Sequence, residues 1–76
     1  MKYLIQYEPG PATTSYARAS TITMRVRAVC QREGVPCETR ILSDGLIEVE
    51  VDLDPVVFAV SLLKLPTEYN TVVKPL

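Results

Sequence analysis

Four carboxylates stand at every second position in the middle of the chain, at Glu48, Glu50, Asp52 and Asp54. Because side chains alternate between the two sides of a β-strand, a strand would carry all four on one side, over roughly 20 Å. Such a row could bind a divalent cation through Asp52 and Asp54, imitate a phosphate backbone or meet a basic partner. The alternative is a solvated sheet face on which Arg40 pairs with Glu48.

Three arginines, Arg18, Arg25 and Arg32, follow one another at intervals of seven residues. On a helix they would share one face, which is either solvated or a binding stripe for an acidic partner or nucleic acid. A basic helix face and an acidic sheet face would give the molecule two oppositely charged sides. The candidate partner-binding residues are therefore Arg18, Arg25, Arg32, Arg40, Glu48, Glu50 and Asp52.

The chain has no histidine, which removes the usual general base, the commonest zinc ligand and the Ser-His and Cys-His nucleophilic pairs. Cys30 and Cys37 are too few for a structural zinc site, and we expect buried thiols, with one disulfide bridge as the alternative. The glycines are each explained by a turn or a helix cap, so no phosphate-binding loop is predicted. We expect a protein that is not an enzyme and that needs no metal or other cofactor.

The composition favours one small globular domain over residues 1–76, with 47% hydrophobic and 22% charged residues. The formal net charge of −1 is unlike that of a protein that coats nucleic acid, so such binding would need a local basic patch. No apolar run is long enough to cross a bilayer, and the first residues do not have the pattern of a signal peptide. We therefore expect a cytoplasmic protein without a membrane partner.

The segment 20–29, STITMRVRAV, fits both a strand and a helix. A strand would place Arg25 and Arg27 side by side on a sheet. The flanks favour the helix, because QREGVP at 31–36 supplies a basic residue for a last turn, a glycine just past it and a proline that cannot continue it. Hydroxyls in TTS at 13–15 could cap its beginning. The apolar stripe of this helix would consist of Ala19, Ile22, Val26, Val29 and Cys30.

The segment 37–54 predicts a β-hairpin. Two alternating runs flank SDG, a three-residue loop in which Gly45 can take the left-handed conformation, with positions 42 and 46 as the closing pair. A two-residue loop would pair apolar with charged positions, so the alternation selects the longer loop. The expected cross-strand pairs are Arg40 with Glu48, Glu38 with Glu50, Ile41 with Ile47 and Thr39 with Val49.

Two further strands and a second helix complete the prediction. KYLIQYE at 2–8 is typical of a strand, and TVVKP at 71–75 is typical of a strand near a sheet edge because of its proline. Asp54 and Pro55 form a helix start, and we expect a short, mostly buried helix that stops before Pro66, with a strand as the alternative.

The element order is therefore strand, helix, strand, strand, helix, strand. Two strand–helix–strand units with right-handed crossovers resemble the ferredoxin-like α+β arrangement, a four-stranded antiparallel sheet with both helices on one face. The apolar set of the third strand must face the helices, which leaves Glu48, Glu50 and Asp52 on the open face. On the first strand, either Tyr3, Ile5 and Tyr7 or Lys2, Leu4 and Gln6 share that open face, and the tyrosine set is favoured as core.

These features favour a small protein–protein interaction module, such as an adaptor, an accessory factor or an inhibitor of a larger protein. It would act through its charged sheet face or its helix face, and a homodimer could form through the open sheet or an edge strand. The alternative is nucleic-acid binding through the helix arginines, or through an open sheet that presents Tyr3 and Tyr7 for base stacking. Three carboxylates on the neighbouring strand argue against the latter.

Overall fold

The computed structural model describes residues 1–62 and 69–76, without the side chains of Ala12, Ser15 and Ala59. The chain belongs to the α+β class, with a four-stranded antiparallel sheet in the order β2-β3-β1-β4. In chain order the elements are β1 (Lys2–Gln6), α1 (Ala12–Glu33), β2 (Cys37–Ser43), β3 (Leu46–Val51), α2 (Pro55–Ser61) and β4 (Val72–Pro75). No helix among the described residues is both long and apolar enough to cross a membrane.

One hydrophobic cluster joins one face of the sheet to both helices. Tyr3 and Ile5 of β1 and Phe58 of α2 are almost completely buried in it, so the favoured assignment of the tyrosine side of β1 to the core is confirmed. The whole predicted stripe of α1 is also buried there, consisting of Ala19, Ile22, Val26, Val29 and Cys30. Packing of this stripe against the sheet explains why a segment rich in β-branched residues folds as a helix.

The end of α1 is confirmed and its predicted cap at the beginning is wrong. Gly34 adopts φ 71° and ψ 29°, and the amides of Gly34 and Val35 donate to the carbonyls of Gln31 and Cys30, at 3.2 and 3.0 Å. This closes the last turn with a glycine that has no Cβ to strain. The helix begins directly after Pro11, without a side-chain cap. Pro11, in an extended conformation, occupies the capping position instead. Residues 13–15 therefore lie within the first turn of the helix.

The β2–β3 hairpin has the predicted register over most of its length. All four expected cross-strand pairs, from Glu38 with Glu50 to Ile41 with Ile47, are present. The closing pair is Ser43 with Leu46, however, and a register shift lies between Ile41 and Ser43. The predicted closing pair of positions 42 and 46 and the predicted three-residue loop are therefore wrong, and the loop consists of residues 44–45. The irregularity in β2 absorbs the extra residue and restores the expected pairing from Ile41 to Glu38.

The helix start at Asp54 is confirmed. Its Oδ1 accepts a hydrogen bond from the Val56 amide at 2.8 Å, and Pro55 occupies the first turn. The described part of the chain contains α2 as a helix, which makes the alternative strand wrong up to Ser61. The remainder of the predicted helix, 63–65, lies outside the described residues.

Candidate functional site

The open face is the side of the sheet that points away from the hydrophobic cluster. Directly opposed residues of antiparallel strands share a face, so the register assigns its side chains to rows across the sheet. The row nearest the amino terminus of β1 contains Glu38, Glu50 and Lys2. The next contains Arg40, Glu48, Leu4 and Lys74, and the last contains Leu46, Gln6 and Val72.

The open face brings three of the predicted site residues together, namely Arg40, Glu48 and Glu50. Glu48 is half-buried between its neighbours, whereas Arg40 and Glu50 are exposed. Although Arg40 lies opposite Glu48, no ion pair joins their charged groups within the described residues. These charges therefore remain available to a partner. Sequence reasoning missed Lys2 and Lys74, which join this face only because β1 pairs with the acidic strand β3 and β4 pairs with β1.

The row of four carboxylates expected from the sequence is interrupted. β3 ends at Val51, so Asp52 lies in the bend after the strand, and Asp54 serves as the cap of α2. Because both residues leave the strand, they do not continue the line of Glu48 and Glu50. Among residues 1–62 and 69–76, no group of three or more potential ligands is placed to hold a metal ion.

The predicted arginine ladder does not form a uniform free stripe, because Arg18 makes contacts within the protein. Its Nη1 donates to the carbonyl of Glu8 at 2.7 Å, and its guanidinium carbon lies 4.8 Å from the centre of the Tyr69 ring. Its Nε is buried without a hydrogen-bond partner among the described residues. Arg18 thus links the loop after β1 to a tyrosine that is remote in the sequence, so much of its guanidinium is engaged within the protein.

The other two arginines of the ladder differ from each other in exposure. Arg25 is half-buried and has an interaction partner. Arg32 is exposed, and its Nε lies 4.0 Å from the carboxylate of Glu33. An exposed contact of this length adds little to stability. Only Arg32 therefore keeps the character of an accessible cation that the spacing predicted.

The two cysteines are free thiols at the junction of α1 and β2. Cys30 is buried and Cys37 is half-buried, so the prediction of buried thiols holds fully for Cys30. Burial raises the pKa of Cys30 to about 12, with smaller contributions from a hydrogen bond to Cys37 and from the charge of Cys37. Because the thiolate is the nucleophile, Cys30 has the properties of a structural thiol.

We predict that Cys30 resists alkylation in the folded protein. In a Cys37→Ser variant, iodoacetamide at pH 8 should leave the native chain unmodified for hours and modify the denatured chain within minutes, as intact-mass spectrometry would show.

The raised pKa of Cys30 also means that the folded state holds the thiol proton more tightly than the unfolded state does. Its contribution to stability is present below about pH 9 and is lost as pH rises toward about 12. A Cys30→Ala variant should lose less of its unfolding free energy over that range; equal losses would contradict the assignment.

Comparisons of the chain with protein-family models, with curated proteins and with solved structures give no match, so the function is argued from the site alone.

Proposed function

We propose that the chain is a small non-enzymatic protein–protein interaction module, an adaptor, accessory factor or inhibitor of a larger protein, that binds through its open face. We assign its arrangement to the ferredoxin-like type, with both helices covering the side of the sheet opposite that face. The observation that carries the proposal is the grouping of Arg40, Glu48, Glu50, Lys2 and Lys74 on a sheet surface that no described element covers.

The charge pattern of the open face favours a partner with a basic patch. Glu48 and Glu50 lie two positions apart on one side of β3, with Lys2 of β1 directly opposite Glu50 and Lys74 on the edge strand β4. Basic side chains of a partner would meet the carboxylates of β3, and acidic ones would meet the lysines on the β4 side of that strand. Such complementary patterns give specificity and speed association more than they add affinity.

The shape of the open face supports a protein partner over a small molecule. The concavity around Arg40 and Glu48 has a volume of only about 40 Å³. A second one of about 400 Å³, with Glu38, Glu50 and Asp52 in its lining, has the volume of a small-molecule pocket, usually about 300–1,000 Å³, but opens widely to solvent. Open concavities with dispersed charges suit another macromolecule. Binding through such a face depends on many weak contacts rather than on one enclosed ligand.

Nucleic-acid binding, the alternative, receives less support. Tyr3 and Tyr7 are buried, so neither of them offers an aromatic platform on the open face on which bases could stack. Arg18 is held by Glu8 and Tyr69, which shortens the helix stripe. A gel shift at low salt with mixed DNA and RNA would revive this alternative if the complex weakened steeply with added salt.

The proposal is tested by reversing charge on the open face. Affinity capture from the native host should recover a partner with the unaltered chain and lose at least about nine-tenths of it with Glu48→Lys and Glu50→Lys combined, since like charges then face the partner. Glu33→Lys, at the far end of α1, is the control and should capture as the unaltered chain does. Circular dichroism would establish that each variant is folded. Undiminished capture by the folded double variant would overturn the open-face assignment.

A further inference from the structure

The two edges of the sheet differ in how well they are protected against pairing with another strand. β4 is four residues long and ends in Lys74 and Pro75, both of which discourage further pairing. β2 is seven residues long and has neither lysine nor proline. Within residues 1–62 and 69–76, β2 pairs only with β3. The edge formed by β2 is therefore a template for strand addition.

Hydrogen bonds of β3 show which peptide groups of β2 point outward. The amide of Val51 donates to the carbonyl of Met1, and that of Tyr7 donates to the carbonyl of Gly45. The amide and carbonyl groups of successive residues point to opposite edges of a strand. Those of the odd-numbered residues of β3 therefore point toward β1, and those of its even-numbered residues point toward β2. The register then directs Glu38 and Arg40 toward β3. The residues of β2 whose amides and carbonyls face the free edge are Cys37, Thr39 and Ile41.

The same alternation shows why β4 is a poorer template. The amide of Leu76 donates to the carbonyl of Lys2, so the even-numbered residues of this strand face β1. Val73 and Pro75 consequently face the outer edge, and Pro75 has no amide hydrogen to donate. An incoming strand would find fewer donors there than along β2.

An exposed apolar surface lies beside the β2 edge, on the helix side of the sheet. Ile41 is 54% exposed and Met24 of α1 is 65% exposed. A groove of about 410 Å³ separates α1 from β2, and Met24, Ala28, Val35 and Cys37 contribute to its lining. A strand added to β2 would extend the floor of this groove and cover part of its apolar lining.

We propose that the chain forms a two-fold symmetric homodimer by antiparallel pairing of its β2 edges, with Thr39 opposite Thr39 of the second copy. Paired residues must share a face, and this register satisfies that condition. It places Glu38 opposite Arg40 of the second copy, and the symmetry repeats the pair, so two opposite-charge pairs form across the junction. On the helix side, Ile41 of each copy lies opposite Cys37 of the other, at the lining of the groove.

The alternative register with Arg40 on the two-fold axis is unfavourable. It would bring two guanidinium groups opposite each other and would leave Glu38 opposite Leu42. The register on Thr39 thus combines complementary charges, outward peptide groups that find partners and apolar contact on the helix side. The dimer has a continuous eight-stranded sheet, twice the four strands of one copy. This inference goes beyond the proposed function, because it depends on the edge of β2. The dimer engages Arg40 of the open face and leaves Glu48, Glu50, Lys2 and Lys74 accessible.

Light scattering coupled to size-exclusion chromatography tests the dimer with the full chain. The expected mass is about 17 kDa, twice the 8.5 kDa of one chain, with dissociation on dilution. Glu38→Arg and Arg40→Glu should each weaken dimerisation about tenfold or more, because both charge pairs become repulsive. Within its own chain, Glu38→Arg places a cation opposite Glu50, so weakening in this variant is not a consequence of a less stable monomer.

Mixing the two single variants is the decisive measurement. The Glu38→Arg chain has arginine at both positions and the Arg40→Glu chain has glutamate at both, so the two chains complement each other across the junction. Native mass spectrometry should therefore show the mixed dimer in excess over both homodimers. A chain that is monomeric at all concentrations would overturn the proposal, as would a mixture without this excess. A monomer that binds an added extended peptide along β2 would assign the edge to a foreign strand instead.

Proline substitution tests which edge is used. Thr39→Pro removes an outward amide without removing a β2–β3 hydrogen bond, and should give a folded monomer. Val73→Pro, which makes the equivalent change on the outer edge of β4, is the matched control and should remain a dimer. Circular dichroism would verify the fold of both variants. Dimerisation that survives Thr39→Pro, or that is lost in folded Val73→Pro alone, would contradict the proposed interface.

Discussion

Replacing Phe58 with alanine should lower the free energy of unfolding by about 3–5 kcal/mol, the usual cost of removing a buried phenyl ring. The Phe58 side chain is 0% exposed, and its ring centre lies 4.6 Å from that of Tyr3, with 31° between the planes. Together with Leu62, which follows the helix, Phe58 joins the seven-residue α2 to the hydrophobic cluster. A domain of this size has only about 4–11 kcal/mol of stability in total, so the variant should be close to unfolding at room temperature.

Urea denaturation followed by far-ultraviolet circular dichroism would measure this loss as a lower midpoint with a similar slope. Val60→Ala is the matched control, because Val60 belongs to the same helix and is 62% exposed. Its change in unfolding free energy should stay within about 0.5 kcal/mol. Equal losses in the two variants would show that α2 is not attached through Phe58.

Tyr3, whose ring contacts Phe58, also forms a hydrogen bond with the segment that precedes α2. The Tyr3 hydroxyl donates to the carbonyl of Leu53 at 2.6 Å, which holds the segment between β3 and α2. Burial, and to a lesser extent the charge of Asp54, raises the pKa of Tyr3, so the hydroxyl remains a protonated donor at neutral pH. The pair Tyr3–Phe58 thus joins the first strand to a helix remote in the sequence.

A second large effect is expected at Gly45, where alanine should cost at least about 2–3 kcal/mol. Gly45 has φ 84°, a conformation that strains any residue with a Cβ. A Cβ at this position would also lie 2.8 Å from the carbonyl oxygen of Tyr7, a backbone atom that cannot move without disturbing the sheet. The amide of Tyr7 donates to the carbonyl of Gly45, so displacement would strain this bond too.

Gly34→Ala provides the matched comparison for Gly45→Ala. Gly34 has φ 71°, but a Cβ built there has no atom within 4 Å. Only the backbone strain remains, and the expected loss is about 1 kcal/mol. Thermal and urea denaturation of both variants would separate the cost of the backbone strain from the cost of the close contact between the Cβ and the Tyr7 carbonyl oxygen. A loss at Gly34 as large as that at Gly45 would rule out the close approach to Tyr7 as the cause.

The candidate site was predictable where its residues are close in the sequence. Arg40, Glu48 and Glu50 meet because a hairpin with alternating polarity has one register that keeps apolar residues on one face. The contact of Arg18 with Tyr69 was not predictable, because it joins distant parts of the chain. The carboxylate row was overestimated because a capped helix begins at Asp54 and ends the extended conformation earlier.

By itself, the sequence determined the kind and order of the elements in the described residues, since helix and strand periodicities, the glycine after α1 and the cap at Asp54 act over a few neighbouring residues. The sequence favoured the tyrosine side of β1 as core without deciding it, because both sides carry apolar side chains, and only the tertiary structure shows what packs against each. The tertiary structure also decided the registers of β1 with β3 and of β4 with β1, which place Lys2 opposite Glu50 and Lys74 opposite Leu4 on the open face. Strand pairing between remote segments depends on the combined burial of the whole core, which no local pattern contains.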